Sequence, residues 1–105
     1  MKPAILRPQA VRDRRAEVRY YRKEAGSEVA IRFVIASNAA LDQLERDPGI
    51  GSPALGNSIG IPGLRSWRVA GFPLLWFYFE RDNNLDVVRL LGERQDIANI
   101  LTEAP

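Results

Sequence analysis

The chain has neither cysteine nor histidine among its 105 residues. Without Cys there is no disulfide framework and no thiolate nucleophile. Without His, the commonest metal ligand and the commonest general base near neutral pH are both missing. Lysine is scarce as well, with two Lys against thirteen Arg. Long hydrophobic runs are lacking. The longest, Phe72–Phe79, has eight residues and includes Pro73, far below the roughly 18 to 20 residues of a membrane span. The opening stretch MKPAILRPQA has no apolar core of a secretory signal. These absences lead us to expect a cytoplasmic protein with no membrane contact, no metal and no other cofactor.

What is present is a folded chain. Apolar residues make up 46% and charged residues 27%, as in an ordinary globular domain. Residues 1–105 are expected to form one domain. The net charge is only +2, with a pI near 9.4. The arginine bias is the stronger signal, because each guanidinium is a planar fork that fits carboxylate or phosphate. The small net charge does not choose between an acidic protein partner and nucleic acid.

Periodicity gives the element order. Lys2–Arg7 reads as a first strand ending at Pro8. From Gln9 to about Ala25, Ala10, Val11, Val18, Tyr21 and Ala25 recur at helical spacing, and Gly26 stops the run. Ser27 is placed to cap a second helix that runs to about Arg46. There Ala30, Phe33, Val34, Ser37, Leu41 and Leu44 share a face. Asp47–Gly63 has five Gly and three Pro in seventeen residues and reads as a long loop. Its "SIGIPG" (Ser58–Gly63) has neither the GK[ST] nor the GxGxxG spacing of a phosphate loop. Leu64–Ala70 alternates as a strand. Leu74–Glu80 is continuously apolar, as a strand buried on both faces would be. "RDNN" (Arg81–Asn84) predicts a turn using positive φ, and Leu85–Leu91 a strand paired with the one before it. Asp96 is placed to cap a last short helix with Ile97, Ile100 and Leu101. The order is β-α-α-β-β-β-α. It describes an α+β domain with a small, mostly antiparallel sheet packed on a two-helix hairpin.

Three constellations could carry function. Arg65, Arg68, Arg89 and Arg94 lie on strands or just past them. Together they would make a phosphate or carboxylate site; separately, each would pair with Glu80, Asp86 or Glu93. Six aromatics fall between Trp67 and Phe79. Interleaved with Arg they fit a base-stacking surface, and at strand spacing they fit a core. Asp13 and Glu17, four apart among Arg12, Arg14, Arg15 and Arg19, fit a solvated ion-pair face of a helix.

Five stretches in order resemble the ParE-type toxins of the RelE/ParE superfamily, the toxin halves of bacterial type II toxin–antitoxin modules. They are ILRPQAVRD (Ile5–Asp13), YYRKEAGSEVAIRFV (Tyr20–Val34), LERDPGIGSP (Leu44–Pro53), PGLRSWRVAGFPLLWFYF (Pro62–Phe79) and VVRLLGERQD (Val87–Asp96). In the last, the family's frequent His near the Gly is absent. Where the mRNA-cleaving branch carries a catalytic Arg after Gly71-Phe72, this chain has Pro73, and where that branch has a C-terminal Tyr, it has Ile100. The resemblance therefore implies the ParE branch, a growth-inhibiting and plasmid-stabilising toxin that blocks DNA gyrase by binding, with no catalytic residue. It implies a hetero-oligomeric complex with a ParD-like antitoxin whose acidic C-terminal segment neutralises it, and no sequence-specific nucleic-acid binding. Arg65, which fills the place of the family's recurrent arginine, is assigned to target binding or toxicity with Trp67, Arg68, Arg89 and Arg94. Antitoxin contact is assigned to Val18, Tyr21, Phe33, Trp67 and Phe77. Two other readings stand beside this one: a ribosome-dependent mRNA interferase of the RelE type, and an inactive relic that only binds antitoxin.

Overall fold

A computed structural model of the chain describes residues 1–103. The elements are β1 (Ala4–Leu6), α1 (Pro8–Ala25), α2 (Ser27–Arg46), α3 (Ala54–Ser58), β2 (Leu64–Arg68), β3 (Leu74–Glu80), β4 (Leu85–Gly92) and α4 (Ile97–Thr102). The α+β order expected from the sequence holds, with one addition. The Gly- and Pro-rich stretch after α2 contains the short helix α3 rather than a bare loop. Gly56 allows it to dock, because a Cβ there would run into the carbonyls of Leu64 and Ile61.

The α1–α2 hairpin turns in a single residue. Pro8 opens α1 at a position whose N–H is not needed. Gly26, at φ 94°, ends α1 and occupies the cap position of α2. Ser27, expected as the cap, is the first helical residue and its side chain caps nothing. A reversal this tight needs the positive φ that glycine adopts without strain. Asp96, in contrast, caps α4 as expected, accepting from the Asn99 N–H.

The sheet order is β1-β4-β3-β2. β2, β3 and β4 form an antiparallel meander, and β1 adds parallel to β4 at the far edge. The Arg81–Asn84 turn does not use positive φ, which no non-glycine residue among those described adopts. Four residues give the connection enough length to close without it, with the Arg81 N–H donating to the Asn84 carbonyl at 2.9 Å.

β3 is buried on both faces, which explains its unbroken apolar run. Trp76 and Tyr78 pack under the hairpin with Phe33, Leu44, Leu85, Val87 and Leu90. Phe77 points the other way, to Leu64, Val88 and Leu91, beneath Leu55, Ile100 and Leu101 from α3 and α4. Buried polar groups in the hairpin layer are satisfied: the Trp76 Nε1–H donates to the Ser37 carbonyl and the Ser37 hydroxyl to that of Val34.

A bulge in β4 ties the two layers to α1. Phe77 pairs with Arg89 but Tyr78 with Val87, so Val88 is the extra residue. Val87 and Leu90 thereby both face the hairpin. β1 pairs only as far as Val87, and the Leu90 N–H beyond it donates to Asp13 of α1 at 3.0 Å. The same carboxylate takes both prongs of Arg89, from Nε at 2.8 Å and Nη2 at 3.1 Å. Asp13 is thus bound to a strand 77 positions along the chain, not to the helix-surface arginines that sequence spacing offered it.

Removing this carboxylate leaves a half-buried guanidinium and a backbone N–H without partners. Asp13→Ala is expected to cost about 3 kcal/mol in urea unfolding. Arg68→Ala, which breaks an exposed pair with Glu93, is expected to cost less than about 1 kcal/mol in the same measurement.

Candidate functional site

The five residues assigned to a target divide once the chain is folded. Arg65 lies on β2 opposite Tyr78. Its Nη1 donates to the carbonyls of Gly51, at 2.6 Å, and Gly49. Tyr78 completes the clamp: its hydroxyl donates to the Pro48 carbonyl at 2.6 Å and accepts from the Gly51 N–H at 3.1 Å. Gly51 must be glycine, since a Cβ there would fall on the Tyr78 ring. Arg65 therefore holds the segment between α2 and α3. Arg89 is held by Asp13. Arg68 pairs with Glu93 across exposed surface, as one of the sequence alternatives had it. Trp67 is half-buried, with Nε1–H donating to Gln43 Oε1. Arg94 is exposed and makes no hydrogen bond or ion pair among the described residues. The four arginines do not form one cluster. Arg68 and Arg94 come to the same end of the sheet, through Glu93.

The residues assigned to an antitoxin divide as well. Phe33 and Phe77 are fully buried, in opposite layers of the core. A side chain with no surface has nothing to present to a partner, so these two are corrected to packing residues. Val18 and Tyr21 are half-buried against the hairpin core. Tyr21 stacks in an aromatic cluster with Phe33 and Phe72, ring centroids 5.2 Å from each.

Arg94 opens onto a groove of about 660 Å³ between α1 and the ends of β3 and β4. Its walls include Glu17, Tyr20 and Tyr21 from α1, Pro73 and Leu74, and Glu93, Arg94 and Gln95. Tyr20 and Tyr21 are successive on the helix, so one turns inward and the other keeps 57% of its surface. Burial pushes the Glu17 carboxyl above the usual carboxylate range, and the Asp13 charge adds to this. Tyr20 was not singled out in the sequence, and Glu17 was read there only with Asp13, as part of an ion-pair face. The available signal was Tyr20 standing off the apolar stripe of α1.

A second groove, of about 580 Å³, lies on the other side of the sheet. Ile61, Phe79, Ile100 and Leu101 give it an apolar floor, and Arg7 and Arg12 stand at its rim. Arg7 and Arg81 share Asp86 at 2.8 and 3.0 Å. The Arg7 hydrogen bond, with that of Arg81, holds the Asp86 carboxyl below its ordinary value against the opposing effect of burial.

The raised Glu17 carboxyl has a consequence for stability. A folded value above the unfolded one means that ionisation weakens the fold, so stability present below the ordinary Glu range is lost as pH rises through the folded value. Glu17→Gln is expected to melt at a higher temperature than the parent at pH 7. The gap should close by about pH 4, where the unfolded carboxyl is half protonated. Melting curves across that range check it, and equal curves at pH 7 would contradict it.

Comparison with known proteins gives a family match and a likeness of fold. The sequence pattern of the ParE toxin of the type II toxin–antitoxin system parDE matches residues 4–97. A solved structure described as the chromosomal ParDE TA system from P. aeruginosa contains a chain of similar fold, at TM-score 0.73 and 19% identity, covering 88% of this chain and 96% of that one. No curated protein sequence matches.

Proposed function

The chain belongs to the ParE toxin family of type II toxin–antitoxin systems, and from that premise we propose that it inhibits DNA gyrase by binding and is neutralised by a cognate antitoxin. The observation that carries this reading is the family match across residues 4–97. What the site adds is a choice among arginines. Arg65 and Arg89 are occupied within the fold. Arg94 is exposed and without a partner among the described residues, and it shares its groove with the exposed ring of Tyr20. This edge of the molecule, from Tyr20 to Arg94, is the target contact in our reading. Binding alone needs no catalytic group, which suits a chain without His or Cys.

The antitoxin contact keeps Val18, Tyr21 and Trp67, each of which retains some accessible surface. The groove over Phe79, Ile100 and Leu101 extends it. An apolar floor beside arginines suits a segment with apolar anchors and acidic flanks that orders on binding. The complex is then a hetero-oligomer of toxin and antitoxin. We place it in the cytoplasm, where gyrase works; among the described residues no helix is long and apolar enough to cross a membrane.

One observation favours a second reading. Glu17, pushed upward by burial, lines the groove that Arg94 also lines. A carboxylate with a raised proton affinity beside a free guanidinium is what phosphodiester cleavage asks for in a general base and a charge stabiliser. On that reading the protein is a ribosome-dependent mRNA interferase.

DNA supercoiling by purified gyrase, titrated with this protein, tests the two. Inhibition is expected, with relief on adding antitoxin. Arg94→Ala should weaken inhibition by about tenfold, the effect of losing one charge-assisted contact, with melting temperature unchanged. Glu17→Gln should leave it intact. An absence of inhibition, with codon-phased mRNA cuts lost in Glu17→Gln, would overturn the gyrase reading and establish the interferase.

A further inference from the structure

α2 has two patterned faces, and the fold uses only one. Ala30, Phe33, Ser37, Ala40, Leu41 and Leu44 are buried against the core. On the opposite side Glu28, Arg32, Ile35, Ala39, Asp42 and Arg46 are all exposed. Their spacing alternates four and three, so they fall within roughly 40° of one line along the helix. That is the spacing of a seam between two paired helices. None of the four charged members forms an ion pair among the described residues. Ile35, at the middle of the seam, keeps 62% of its surface, and Ile31 beside it keeps 59%.

An exposed charged stripe is ordinarily just solvated. The order of the residues is what sets this one apart. Read forward the seam is acid, base, Ile, Ala, acid, base; read backward it is base, acid, Ala, Ile, base, acid. Laid antiparallel on a second copy of itself, Glu28 meets Arg46, Arg32 meets Asp42, and Ile35 meets Ala39. Each meeting occurs twice by two-fold symmetry. A parallel arrangement would set every charge against its like. A slip of seven residues either way sets Arg32 against Ile35 or Asp42 against Ala39. One orientation and one register alone satisfy all four charges and keep the apolar pair in the centre.

We infer that the outward face of α2 is a self-association surface, on which a second copy of this chain docks through its own α2 in antiparallel orientation. The contact is isologous and closes at two copies. Small Ala39 lets the helix axes approach at the layer where Ile35 enters. The apolar hollow of about 550 Å³ flanking the seam, at Val29, Ala36 and Phe72, gives the approaching helix room. A single helix pair about 30 Å long falls in the size class of weak, reversible complexes. The inference rests on the seam itself and does not depend on which target the protein inhibits.

Sedimentation of the 105-residue chain from roughly 5 to 500 μM tests it. A monomer–dimer equilibrium with a dissociation constant of tens of micromolar is expected. Arg32→Glu, which faces Asp42, should weaken it by about tenfold with the melting temperature unchanged. The double variant Arg32→Glu/Asp42→Arg, which swaps the charges within each copy, should restore it. Orientation is read by crosslinking, since the chain has no cysteine of its own. Ile35→Cys mixed with Ala39→Cys should form the mixed disulfide in preference to either self-disulfide. Several results would overturn the inference: a folded monomer at every concentration, a dimer indifferent to Arg32→Glu, or a loss that the double variant does not recover. If the parent is monomeric and Arg32→Glu instead weakens antitoxin binding, the seam belongs to the antitoxin and the inference also falls. A monomer that still inhibits gyrase would leave the proposed function standing, and a dimer that does not would leave this inference standing.

Discussion

The carboxylate of Asp13 is the point on which the architecture turns. β1 is too short to pair with β4 past Val87, and the bulge at Val88 re-aims the strand beyond it. The strand is left with an outward N–H at Leu90 and a guanidinium at Arg89. One side chain from α1 answers both, in bidentate geometry with a backbone donor added. Such a group does more than add a favourable contact. Its loss would strand two half-buried donors, and that cost is larger than the net worth of making them. The position of α1 over the sheet, and with it the α1 wall of the Arg94 groove, depends on this clasp.

A second tie works the same way at the other end of the sheet. Arg65 and Tyr78 are neighbours across β2 and β3, and both reach the carbonyls and amide of Pro48, Gly49 and Gly51. The chain leaving α2 has no secondary structure of its own at this point. Its polar groups are satisfied by a side chain from each strand. With these fixed, α3 is delivered to the face of the sheet that Phe77 and Leu64 would otherwise expose.

These ties change how the family motifs are understood. Pro8 starts a helix, Ala10 is fully buried and Asp13 is the clasp. Pro48 and Gly51 are held by Tyr78, and Arg65 closes over them. These motif residues therefore report how the chain folds. In our reading the surface that meets a partner lies at Tyr20 and Arg94 and along the outer face of α2.

Local physics was readable directly from the sequence. Helical spacing gave α1 and α2, Asp96 marked the start of α4, and the unbroken run from Leu74 to Phe79 marked a strand covered on both sides. Each of these is decided by residues within a few positions of one another. Composition gave the absence of His and Cys and the excess of Arg. The fate of each arginine was not legible, because it depends on what lies opposite after folding. Arg89 finds a carboxylate 76 positions away, Arg65 finds backbone carbonyls 14 and 16 positions away, and Arg94 finds no partner among the described residues. A single extra residue in β4 shifts the register, and spacing alone does not reveal it, since a one-residue slip moves every later side chain to the other face. Burial divided the aromatics in the same way: Phe33 and Phe77 went to the core and Tyr20 to the surface, although all three are aromatic rings within regular elements. The sequence determined the elements and their order, apart from the short helix α3. Pairing across the sheet decided which charged groups were consumed in holding it together and which were left exposed at the surface.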